Sequence, residues 1–205
     1  MLQLIITGCG RSGTHWANAV ISQGGISCSH EHALKFQPFA TTDFVEVSWT
    51  ALAFLPLPHE LFPTPYTVWH LVRHPIAVAC SFRSKNFFHD VNPSFALRGH
   101  PEVVEKALGY FPSGPYAELD YWLDWTKLTE SFASQTFRIE DLNTSTLLSH
   151  VSKELNMPVS QLDEIPPVDT TGSLITSAIN FNLPSYPRLD ELKAQASHFN
   201  YKLDI

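Results

Sequence analysis

The sequence predicts an α/β fold of three layers, α/β/α, around a central parallel sheet. Three observations predict it. Short apolar, partly β-branched runs at 2–7 and 66–72 read as buried strands. Helix-forming segments follow each of them. The unusual residues gather where strands end, at 8–16, 28–32, 73–81 and 138–141, which is where parallel α/β sheets hold their ligands.

The elements follow in chain order. Residues 2–7 (LQLIIT) are the first strand, stopped by Gly8. The turn Gly8-Cys9-Gly10-Arg11-Ser12-Gly13 comes next. Residues 14–23 (THWANAVISQ) form a helix closed by Gly24-Gly25. A second short strand covers 26–29, ahead of His30-Glu31-His32. Residues 33–66 show little periodicity. Ser48 is placed to N-cap a short helix over 49–55, before the proline-rich stretch 56–65. Residues 66–72 (YTVWHLV) are a buried strand. Pro75 suits a first helical turn, with a helix over 76–84. A helix is expected at 102–108 and a longer one at 116–132, where Leu119, Trp122, Leu123, Trp125 and Leu128 recur near helical spacing. A strand at 136–139, a helix at 144–155 and a final helix at 187–199 complete the order. No repeat or linker divides the chain, so one domain over 1–205 is expected.

Composition narrows the function. The chain has 205 residues, 44% hydrophobic and 16% charged, enough for a real core and unlike a disordered segment. The formal net charge is −7, which argues against a nucleic-acid or anionic-membrane binder. Any anion site must be a local cluster of cations. Cys9, Cys28 and Cys80 are widely spaced and form no CxxC pair, which predicts a reducing, cytoplasmic setting. No apolar run reaches the ~18 residues of a membrane span. The start, MLQLIITG, has neither the basic leader nor the apolar segment of a signal peptide.

The chemistry concentrates in two places. A strand entering a glycine-rich turn and then a helix makes an anion cradle, with backbone N–H groups and the positive helix end facing inward. Gly8 to Gly13 matches the G-x-x-x-x-G spacing of a Walker A loop. The next two residues, Thr14 and His15, are not its Lys-Ser/Thr. Arg11, inside the loop, supplies the cation instead. The second place is Arg73, ending a strand, with Ser81 eight residues on. A guanidinium grips phosphate in forked geometry, and a hydroxyl adds one bond.

These segments together resemble the sulfotransferases. Gly8–Trp16 (GCGRSGTHW) resembles their 5′-phosphosulfate loop, P-K-S-G-T-T-W. Val72-Arg73-His74-Pro75 with Ser81-Phe82 resembles their 3′-phosphate motif. Phe137-Arg138-Ile139-Glu140-Asp141-Leu142 resembles their R-Y-E-D-L strand end, and Glu46-Val47-Ser48-Trp49 is similar to a stretch of some bacterial members. The resemblance implies a P-loop-NTPase-like arrangement and the donor 3′-phosphoadenosine 5′-phosphosulfate (PAPS). Its desulfated product would be PAP, and no metal would be required. Arg11 would replace the family lysine. Gly10, Arg11, Ser12, Gly13, Thr14 and His15 would hold the 5′-phosphosulfate, and Trp16 would stack on adenine. Arg73 and Ser81 would hold the 3′-phosphate. The acceptor would be a small molecule or glycan offering a hydroxyl or amine, with its pocket walled by 33–65 and 86–115.

A base must take the acceptor's proton. Glu31 is the first candidate, and His30 or His32 the second. The i, i+2 spacing of His30 and His32 also admits metal ligation, but no third ligand is evident. Two rivals remain: a P-loop kinase of a small metabolite, and a sulfotransferase-like domain that binds a nucleotide or partner without catalysis.

Overall fold

The computed structural model describes residues 3–31, 44–56, 65–88, 99–166 and 181–203. Within them, five strands form one parallel sheet: β1 (Leu4–Thr7), β2 (Cys28–His30), β3 (Val45–Val47), β4 (Thr67–Val72) and β5 (Gln135–Arg138). Their spatial order is β2-β3-β1-β4-β5. The described α-helices are α1 (Thr14–Gln23), α2 (Pro75–Arg83), α3 (His100–Leu108), α4 (Ala117–Glu130), α5 (Thr144–Leu155) and α6 (Leu189–His198). The fold is three-layer α/β/α.

Strand alternation sorts the core into two halves. Leu4 and Ile6 of β1 pair in register with Val45 and Val47 and pack with α1 and α5. Ile5, beside Val68, faces the opposite way, toward α2, α3, α4 and α6. All four β1 residues are buried, as a strand covered on both faces requires. Helix α5 starts with a capping box, Asn143 accepting from the Thr146 N–H while Thr146 Oγ1 accepts from the Asn143 N–H.

Two expectations change. β3 falls in the stretch that showed little periodicity. Its centre is Glu46, which is buried and accepts a hydrogen bond from the Ser29 hydroxyl on β2. The helix expected over 49–55 is a short 3-10 turn, Trp49–Ala53. Ser48 precedes it without capping, its hydroxyl being bonded to that of Thr50 at 2.7 Å. Helices α1 and α5 keep the expected bounds, and the other ends shift by two residues at most. His32 and residues 33–43, part of the expected acceptor wall, lie outside the described residues, as do 57–64 and 89–98.

Candidate anion site at the carboxyl edge of the sheet

β1 delivers the chain into the loop at Gly8. A Cβ there would lie 2.0 Å from the Leu71 carbonyl oxygen on β4, so only glycine fits. At Gly13 φ is +101°, and a Cβ would meet Ile139 Cδ1 at 2.7 Å. Ile139, from the Arg138-Ile139-Glu140-Asp141 segment after β5, is therefore pressed against the start of α1. Gly13 is the N-cap of α1 and has no side chain with which to cap it. Its first N–H groups are left to face an anion.

The loop is held from behind by α4. The Gly10 N–H donates to the Tyr121 hydroxyl at 2.9 Å, and the Trp125 indole N–H donates to the Gly8 carbonyl at 3.0 Å. The Trp122 indole N–H donates to the Arg73 carbonyl at 2.9 Å. One helix thus fixes the ends of both β1 and β4. All three rings are fully buried. Burial raises the Tyr121 pKa well above its ordinary value, keeping the phenol neutral.

Arg11, Arg73 and Ser81 meet. Arg11 adopts φ +71°, and its Nε donates to Ser81 Oγ at 2.7 Å. Arg73 Nη1 donates to the Arg11 carbonyl at 3.3 Å. Desolvation first, and the charge of Arg73 second, lower the Arg11 pKa. Two guanidinium groups held this close repel one another, and an anion between them relieves that repulsion. Among the described residues Arg11 forms no ion pair with a carboxylate. Its two Nη groups remain for a ligand. Two buried hydroxyls at the same loop, Thr7 Oγ1 and Ser12 Oγ, have no hydrogen-bond partner among the described residues.

The remaining expected site residues fall into place as follows. Thr14 is buried in the first turn of α1, and His15 is exposed beside it. Trp16 is 4% exposed, and its indole N–H donates to the Ile165 carbonyl at 2.6 Å. Its ring packs in the core with β1 and α5, so stacking on adenine requires that face to be uncovered. His30 meets His15 edge to face at 5.2 Å. Burial, then the charge of His15, pulls the His30 pKa down to about 4, so its imidazole is neutral at pH 7. Glu31 adopts φ +53°, and its Oε1 accepts from the Trp49 indole N–H at 3.0 Å. Cys9, inside the loop, is fully buried and its thiol is pushed up to about 12, so it is no nucleophile.

The C-terminal part locks the other strand ends. The Tyr201 hydroxyl contacts both the Val72 carbonyl and Glu140 Oε2, at 3.2 and 2.6 Å. Glu140 Oε1 accepts from the His74 N–H at 3.1 Å. Arg83 is engaged elsewhere, forked onto buried Glu118 with bonds of 3.2 and 2.9 Å. Among the described residues no group of three or more His, Cys, Asp or Glu could hold a metal ion. No described helix is long and apolar enough to cross a membrane.

The sequence points to Arg11, Arg73 and Ser81, and it places Trp122 and Trp125 only on the apolar spacing of a helix. Both are buried as that spacing implies, and their indole bonds to the loop and to Arg73 are tertiary features with no local signal. Tyr121 carries no signal in the sequence of its bond to Gly10. An aromatic run on one helix gives no sign of where its polar tips end.

No family model matches the sequence, and no curated protein matches it. Among solved structures it is similar to the sulfotransferase domain from the Synechococcus PCC 7002 olefin synthase. The TM-score is 0.56 at 13% sequence identity, covering 98% of this chain and 95% of that one. At that identity the likeness is one of fold alone, and the fold of this chain is sulfotransferase-like.

Proposed function

We propose that the chain is a PAPS-dependent sulfotransferase, working as one domain, that sulfates a hydroxyl or amine of a small molecule or glycan. One observation carries the reading. Arg11, Ser81 and Arg73, drawn from separate segments, meet beside a helix start with a glycine N-cap and two buried hydroxyls that have no partner among the described residues. A donor with phosphates at both the 5′ and 3′ positions needs two cationic contacts, which a simple phosphate does not.

In this reading the loop, with Gly10, Ser12, Gly13, Thr14 and His15, takes the 5′-phosphosulfate. Arg73 and Ser81 take the 3′-phosphate. The acceptor oxygen attacks sulfur in line as the bond from sulfur to the bridging oxygen breaks. The electron pair leaves with PAP, and the acceptor's proton passes to Glu31. Arg11 stabilises the charge growing on the bridging oxygen, more in the transition state than before it. Arginine stays protonated, so it acts by charge and hydrogen bonds and not as an acid. Glu31 follows β2, two strands from β1, which leaves roughly 10 Å for donor and acceptor between them. His30, neutral at pH 7, is the alternative base.

Calorimetric titration with PAP, run beside ATP–magnesium, tests the reading. PAP should bind without metal, and Arg73→Ala should weaken it roughly 100-fold, the loss of one forked charged contact. Preference for ATP–magnesium would turn the reading to a kinase. Binding of neither by folded protein would turn it to a partner-binding domain.

A further inference from the structure

Glu31 is bent out of the strand path, with φ in the left-handed region at a non-glycine residue, and its carboxylate does not simply enter water. Its Oε1 accepts the Trp49 indole N–H at 3.0 Å. Trp49 is itself fixed on both sides. Its ring lies 5.5 Å from that of Trp125 and stands edge-on to His100 at 5.3 Å. Trp125 is the residue whose N–H holds the Gly8 carbonyl of the loop. A continuous run therefore joins Glu31 to the anion loop through two buried indoles. His30 is turned the other way, toward His15 on α1.

We infer that Trp49 is a positioning residue for Glu31, setting the carboxylate in register with the donor loop. The inference rests on the reading of Glu31 as the base. An indole N–H is a donor only, so it cannot compete for the transferred proton. By occupying Oε1 it leaves Oε2 to accept that proton. A buried indole needs some acceptor, and a packing role alone would meet that need. The strained φ at Glu31 is what packing alone leaves without a purpose. Other titratable side chains on the surrounding elements are His15 and His30 toward α1, Glu46 on β3 and His100 on α3.

The test uses the whole chain, with water as the acceptor in PAPS hydrolysis. Water attacks sulfur, its proton passes to Glu31, and sulfate and PAP are released. Trp49→Phe keeps the ring against Trp125 and His100 but removes the N–H. It should lower the hydrolysis rate about tenfold, the worth of one hydrogen bond to a charged group. It should also move the acid limb of the rate–pH profile while leaving PAP affinity within about twofold. A second readout needs no activity. The chain has five tryptophans, and Trp49→Phe identifies the Trp49 indole N–H signal in a proton–nitrogen NMR spectrum. That signal should move with pH in the wild type and stay fixed in Glu31→Gln, a variant that preserves shape. A signal that moves with pH in both proteins overturns the inference. Normal PAP binding with an unmoved rate–pH profile overturns the Trp49 assignment alone. No PAP binding by the wild type overturns the donor reading and the catalytic assignment with it.

Discussion

The two faces of the sheet are built differently. The face carrying α1 and α5 is mainly aliphatic, with Val20, Ile21, Leu147, Leu148 and Val151 closing over Leu4 and Ile6. The face carrying α2, α3, α4 and α6 is crowded with rings, among them Trp49, Phe82, Phe87, Tyr121, Trp122 and Trp125. Aliphatic side chains have nothing to offer the backbone. Indoles and phenols bring an apolar body and one polar tip, and here four of those tips reach the loop, Arg73 or Glu31. One face supplies stability; the other supplies stability and aim. A groove of about 480 Å³ between α5 and residues 159–162 is lined by Ser145, Ser149 and Ser152, and none of its lining residues belongs to the anion site.

Substitutions that separate stability from aim sharpen this contrast. The largest expected effect is on the aliphatic face. Leu148→Ala opens a hole in a nearly closed core and should cost about 2–5 kcal/mol of unfolding free energy in urea melts. PAP affinity of the folded protein should stay unchanged, and a matching loss of affinity would break the division. Trp125→Phe should do the reverse. It keeps most of the ring but strands the Gly8 carbonyl, for about 1–3 kcal/mol of stability, and PAP affinity should fall several-fold. Unaltered affinity would mean that α4 packs against the loop without aiming it.

A further effect concerns acid stability. His70 on β4 is buried against Phe199, its ring nitrogens lack partners among the described residues, and burial pulls its pKa down to about 3. The unfolded histidine titrates near 6.5, so the unfolded chain takes up the proton first. Stability from this residue is complete above pH 6.5 and is lost as pH falls toward 3. His70→Phe should reduce the proton uptake on unfolding between pH 6 and 4 by about one proton, measured by urea melts at stepped pH. His30 adds a weaker effect of the same sign, down to about pH 4.

What the sequence made legible was local. The turn from Gly8 to Gly13 and the apolar run of β4 announce themselves within ten residues, and Arg73 and Ser81 follow from them. β3 was illegible because Glu46 stands at its centre, and a charge in a three-residue strand reads as surface. Only the fold supplies the Ser29 hydroxyl and the cover that let it be buried. The parts of Trp49, Tyr121, Trp122 and Trp125 in the site were hidden for a related reason. Their rings announce a core, but the destinations of their polar tips are tertiary facts.

The bonds from α4 to the loop have a kinetic consequence. Gly10 and Tyr121 are 111 residues apart in the chain, and Gly8 and Trp125 are 117 apart. Contacts of such separation form late, because long loops must close before they are rewarded. The helix that follows the loop needs only its own neighbours to begin forming. A refolding chain therefore regains most of its helix before it regains the cradle, and a tightly bound nucleotide would report the last step of folding and none of the earlier ones.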